Sequence, residues 1–148
     1  MSIFDSFNIN SSGMTAERFR MDIIAENIAN ANTTRTADGT PYVRKVVTFQ
    51  EKGGQTPFSH ILNIKRDHYS GKGVRVSTVQ EDTWTQANMV YDPSHPDADE
   101  NGYVTYPNVN TITEMTNLID ASRGYEANAT AFNASKQIAT RGLDLGNG

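Results

Sequence analysis

The chain has 148 residues, a formal net charge of −4 and no cysteine. That length is one domain's worth of chain, and the negative balance offers nothing to attract nucleic acid or an anionic membrane. Without cysteine there is neither a disulfide framework nor a thiolate metal site. Leu, Ile, Val and Phe make up only about a fifth of the residues, near the level at which chains struggle to fold alone. Two outcomes fit so thin a supply: a modestly stable monomeric helical hairpin with a β insertion, or a subunit that completes its burial against neighbours in a filament or tube.

The opening MSIFDSFNIN has no basic stretch, no long apolar run and no small-residue cleavage site, so a cleaved Sec signal peptide is not expected. No stretch reaches the length of a membrane span. Residues 3–31 carry apolar side chains at helical spacing and predict a helix of roughly 43 Å. Phe7, Met14, Met21 and Ile28 recur every seven residues, with Ile24 and Ala31 on the adjoining row. Ser11, Ser12 and Gly13 are expected to interrupt this helix, leaving Met14 to Ala31 as its firm part. Asn27, Asn30 and Asn32 cluster at its end. Asn terminates helices well, and a polar residue in a helical seam can also fix register against a neighbour.

Residues 32–39 read as a loop, with Asp38-Gly39 as a turn. The β-branched run from Tyr42 to Phe49 predicts a strand, turned by Gly53-Gly54. His60–Arg66 alternates weakly and predicts another. Val74 to Val79 is the cleanest alternation in the chain, with Val74 and Val76 on one face. Met89–Tyr91 and Gly102–Tyr106 are short strand candidates. Pro93 and Pro96, in the polar segment between them, block both helix and inner strand.

Residues 109–143 predict a second helix, of roughly 54 Å. Met115, Leu118, Ser122, Tyr125, Ala129, Phe132, Lys136, Ala139 and Leu143 step alternately by three and four, the rhythm of a coiled-coil seam. The predicted fold class is therefore α+β: long N- and C-terminal helices pairing as a coiled coil, with a small β-rich domain inserted between them. The helical part takes residues 1–32 and 108–148, and the β-rich part 33–107.

Catalytic patterns are weak. There is no G-x-S-x-G elbow. Glu81-Asp82 and Asp99-Glu100 are sequence neighbours that diverge in direction, not acid–base pairs. His60, His68 and His95 are scattered without zinc-ligand spacing. Asp97, Asp99, Asn101 and Gly102 fit the opening of a calcium loop, but its twelfth position is Asn108 where a bidentate Glu is required. The simpler reading is a solvated acidic turn with Gly102 at positive φ. A calcium-binding module using residues 97–102 stays as the alternative. No catalytic, cofactor-binding or metal-binding residue is assigned.

The string ENIANANT (26–33) resembles the Asn-rich N-terminal signature of the rod and hook proteins of the bacterial flagellum, the axial protein family. EMTNLIDASRGYEAN (114–128) resembles their C-terminal signature. YDPSHPDADENGYVTYPNVN (91–110) is similar to the segment before the last helix in the short, proximal rod members. One departure is Gly124, where the family usually has Ala or Ser; it costs about 1 kcal/mol in mid-helix and permits a kink or a close helix contact.

This resemblance implies a structural subunit of the basal-body proximal rod, the drive shaft that transmits torque through the periplasm or cell-wall zone. It implies export through the flagellar type III apparatus without a cleaved signal peptide, and assembly with itself and other rod proteins in a helical tube. It implies no catalysis and no cofactor. Peptidoglycan-cleaving activity in rod-associated proteins comes as an added domain, for which this length leaves no room. An axial subunit of another secretion apparatus is a further alternative. The expected assembly residues are Phe7, Met14, Met21, Ile24, Asn27, Ile28, Asn30, Met115, Leu118, Arg123, Tyr125, Asn128 and Phe132.

Overall fold

The computed structural model describes residues 3–53 and 71–146. Its elements in chain order are helix α1 (Ile3–Ala29), strands β1 (Lys45–Glu51), β2 (Val74–Glu81), β3 (Asn88–Tyr91) and β4 (Tyr103–Tyr106), and helix α2 (Thr111–Gly146). The expected strand at His60–Arg66 lies outside the described residues, as do Gly54, His60 and His68.

The expected break at Ser11–Gly13 does not occur: α1 is continuous from Ile3 to Ala29. Two of the three residues that argued for a break, Ser12 and Gly13, are instead contact points. The Ser12 hydroxyl donates to the Ile9 carbonyl at 2.7 Å and accepts the Val74 amide at 3.0 Å, and buried Gly13 faces Asn128. At the far end, Asn30 donates through backbone and side chain to the Glu26 carbonyl, so the helix stops two residues before the expected limit. In α2 the start also moves inward. Asn110 is the N-cap, its side-chain oxygen accepting the Ile112 and Thr113 amides at 3.0 and 3.2 Å. The first strand begins at Lys45 rather than Tyr42 because the Tyr42 amide is bonded to the Thr33 carbonyl after α1 and not to a strand.

β1 and β2 form one two-stranded sheet and β3 and β4 another. The bonds Lys52 N to Gly73 O and Asp82 N to Arg44 O stand at opposite ends of the first ribbon, which makes it antiparallel. In the second, Val90 lies opposite Val104 and Tyr91 opposite Tyr103. The expected alternation survives at the start of β2, where Val74 and Val76 are half-buried and Arg75 and Ser77 exposed.

The chain divides into two compact units: Met1–Phe19, Thr48–Ser77 and Ala121–Gly148 in the first; Arg20–Val47 and Thr78–Asp120 in the second. Small residues let the helices approach in the first unit, where Gly13, Ala16 and Ala121 are buried. Phe7 stacks on Phe132 with ring centroids 5.0 Å apart, Gly13 meets Asn128, and Gly124 meets Glu17, so the two helices pack antiparallel there. The second unit has Ile24, Tyr42 and Val104 at its centre, together with buried Asn27 and Glu114.

Candidate functional site: a buried polar joint and an uncovered helix face

The second unit joins its two helical segments through side-chain hydrogen bonds. Asn27 is 0% exposed and Glu114 1%, and buried polar groups are tolerated only when their bonds are made. Every bonding position of the Asn27 carboxamide is filled. Its oxygen accepts the Lys45 amide at 2.9 Å and the Tyr42 hydroxyl at 2.8 Å. Its nitrogen donates to the Lys45 carbonyl at 2.9 Å and to Glu114 Oε2 at 3.0 Å. A carboxamide offers two donors and two acceptor lone pairs, so nothing is left over.

Glu114 sits in the first turn of α2, where the helix dipole favours an anion. Its Oε1 accepts Arg44 Nε at 3.0 Å, Arg44 Nη2 at 2.7 Å and the Asn117 amide nitrogen at 3.1 Å. Arg44 also donates to Asp82 Oδ2 at 3.3 Å. A second carboxamide, Asn108, accepts the Arg44 amide at 2.8 Å and donates to the Asp82 and Thr85 carbonyls. The start of β1 is thus gripped from both sides, Arg44 by Asn108 and Lys45 by Asn27. Lys45 Nζ adds an ion pair to Glu26 at 2.5 Å.

The electrostatics follow from this geometry. Burial pushes the Tyr42 phenol up to about 12, with Glu26, Glu114 and Glu81 adding to the shift. Burial opposes the Arg44 charge, but the bonds to Glu114 and Asp82 outweigh it and hold the guanidinium above its ordinary value. The Thr85 hydroxyl lowers the Asp82 carboxyl against partial desolvation, helped by the Thr85 amide, Arg44 and the Trp84 amide. Such a joint binds helix to strand; its carboxylates are engaged in structural bonds.

The expected assembly residues fall into three groups. Ile24 and Asn27 are buried within the second unit, and Phe7, Met14, Met21, Ile28, Asn30, Leu118, Tyr125, Asn128 and Phe132 are half-buried. Met115 and Arg123 are exposed. At the start of α2 the covered residue is Glu114, and a face carrying Ile112 (76% exposed), Met115 (54%) and Ile119 (54%) points outward. Their spacing of three and four puts all three on one stripe. Ile138, Leu143 and Leu145 are also exposed further along α2.

In the acidic turn, Asp97 accepts the Thr34 hydroxyl at 2.8 Å and Arg35 at 3.3 Å. One oxygen of Asp99 accepts the Asn101 and Tyr103 amides. Gly102 has φ +80°, as expected for a turn closed by glycine. Among the described residues no group of three or more His, Cys, Asp or Glu could hold a metal ion. Sequence reasoning missed Tyr42, Arg44, Asp82, Asn108 and Glu114 as members of one cluster. Their partners lie far apart in sequence, Glu114 being 70 residues from Arg44 and 87 from Asn27, so no local pattern marked them.

Two family models match the chain: "Flagella basal body rod protein" over residues 7–35 and "Flagellar basal body rod FlgEFG protein C-terminal" over residues 100–145. These ranges contain both helical signatures and, of the joint, Asn27, Asn108 and Glu114. The chain is 43% identical to the flagellar basal-body rod protein FlgC of Bacillus subtilis, covering 99% of both chains. It is 41% identical to that of Borreliella burgdorferi over 98% of both, and 36% identical to that of Salmonella typhimurium over 99% of both. The chain belongs to the FlgC family of flagellar basal-body rod proteins. Asn27 lies within the first of the two family matches and Glu114 within the second, 87 residues apart. Among the described residues no helix is long and apolar enough to cross a membrane.

Proposed function

We propose that this chain is a structural subunit of the flagellar basal-body rod, and not an enzyme. The observation that carries this reading is its likeness to FlgC along the whole chain, at 43% identity over 99% of both chains. The rod is a tubular shaft that transmits torque, built from this subunit and other rod proteins. The terminal helices, residues 1–32 and 108–148, form its wall through coiled-coil seams, and the β-rich part, 33–107, decorates it. Phe7, Met14, Met21, Ile28, Asn30, Met115, Leu118, Arg123, Tyr125, Asn128 and Phe132 supply the seams, and buried Ile24 and Asn27 hold the subunit that presents them. The subunit reaches the periplasm or cell-wall zone through the flagellar type III export apparatus.

The exposed stripe Ile112–Met115–Ile119 supports this reading, because contiguous apolar surface marks an interaction site. The thin apolar composition does too, since neighbours in a tube supply burial that an isolated chain lacks. The experiment is a deletion in the host bacterium, followed by complementation. Loss of motility and of the rod in purified basal bodies, both restored by the intact chain, is expected. Phe132→Asp or Met21→Asp should leave export intact and fail to restore the rod. A complete rod in the deletion strain overturns the reading.

A further inference from the structure

The charges of this chain are sorted between its two compact units. The first unit carries nine Lys and Arg against six Asp and Glu; the second carries four against eleven. Their formal charges are thus +3 and −7, within a chain of −4. Opposite charge in two parts of one chain favours copies meeting unlike part to unlike part. Such a contact is heterologous, so it propagates along an assembly unless its rotation closes a ring.

Each unit offers a feature that fits this pairing. In the first, a groove of about 380 Å³ is lined by α1 residues Ser11, Thr15 and Phe19, by Lys52, and by β2 residue Arg75. Lys52 and Lys72 line an adjoining cleft together with Asp5. Lys52, Lys72 and Arg75 are all exposed. In the second unit, Asp99 and Glu100 are exposed at the tip of the acidic turn. The Asn101 and Tyr103 amides fix the Asp99 carboxylate. The exposed Tyr91–Tyr103 ring pair flanks this tip, and exposed Phe19 in the groove gives it an apolar counterpart.

We propose that the groove between α1 and β2 of one copy receives the Asp99–Glu100 turn of a second copy, with Lys52, Lys72 and Arg75 facing the two carboxylates. This deepens the assembly reading above by naming one contact between copies, and the two fail separately: a rod can depend on this chain without this contact. Exposed ion pairs are individually weak and screened by salt. The contact is therefore weak between two free copies and gains strength by repetition along an assembly.

The test mixes full-length protein of natural isotope content with 15N-labelled protein and couples carboxylates to amines with a zero-length carbodiimide. Mass spectrometry should find Lys52 or Lys72 joined to Asp99 or Glu100 in mixed-isotope pairs, fewer at high salt. Absence of these links, or their presence only in same-isotope pairs, overturns the proposal. Charge reversal gives the second arm. Lys52→Glu with Lys72→Glu, and Asp99→Lys with Glu100→Lys, should each lose self-association in sedimentation while keeping the helical circular dichroism of the parent. An equal mixture of the two variants should regain it, because each then offers what the other lacks. A mixture that stays as dissociated as its parts contradicts the contact.

Discussion

Asn27 near the end of α1 and Glu114 in the first turn of α2 share a 3.0 Å hydrogen bond between buried side chains, with 87 residues between them in sequence. The bond sits inside a cluster that also holds Arg44 and Lys45, where β1 begins. The end of one helix, the start of the other and the strand between them are therefore fixed together.

Breaking this cluster from one side leaves the other side unsatisfied. Asn27→Ala strands the Tyr42 hydroxyl and Lys45 amide, each at roughly 1–3 kcal/mol. Arg44→Ala leaves the Glu114 carboxylate without its main partner, for about 3–5 kcal/mol. Urea unfolding should show both losses, each of several kcal/mol. The double change Arg44→Met with Glu114→Leu should lose less than Arg44→Ala alone, because no buried charge remains.

The cluster also sets a pH window. Asp82 titrates below its ordinary 3.8, so its stabilisation is present above that value and is lost as the pH falls through the folded-state pKa. Tyr42 titrates at about 12 in place of 10.0, so its stabilisation is complete below pH 10.0 and is lost as the pH rises toward 12. Melting temperature against pH should fall on both limbs. Asp82→Asn should flatten only the acid limb, and Tyr42→Phe only the alkaline one.

Gly13 and Asn128 test the helix contact of the first unit. A Cβ on Gly13 would lie 2.6 Å from Asn128 Oδ1. Gly13→Ala should destabilise the parent, although Ala is the better helix former by about 1 kcal/mol. In an Asn128→Ala background the clash is gone, so the same substitution should become stabilising. Two denaturation curves decide it; the same sign in both backgrounds contradicts the packing.

Turn 97–102 should ignore calcium. Asp97→Ala removes the bonds to Thr34 and Arg35 and should lower the melting temperature equally with calcium and with chelator. Gly102→Ala should cost more: a side chain at φ +80° is disfavoured by roughly 1–2 kcal/mol, and its Cβ would lie 2.9 Å from the Tyr91 ring. A calcium-dependent rise in the parent that disappears in Asp97→Ala would overturn this reading.

The helices were legible because Met14, Met21 and Ile28 keep one face for four turns, and β2 because Val74 and Val76 alternate with polar residues. The joint was not. Asn27 has partners 15, 18 and 87 residues away, and a local reading sees only an Asn near a helix end. Glu114 is covered and Met115 uncovered because Arg44 neutralises the buried carboxylate, which no periodicity records. Ser12 and Gly13 resembled a break because propensity is a weak prior that tertiary contacts override; here the overriding contacts are with Val74 and Asn128.

The central claim is that this chain builds the rod wall with its helices. The most direct measurement is an electron cryomicroscopy reconstruction of basal bodies from the host bacterium, at side-chain detail. The expected result places this subunit in the rod, with Ile112, Met115 and Ile119 covered by helices of neighbouring subunits. A rod reconstructed without this chain, or with that stripe facing solvent, contradicts it.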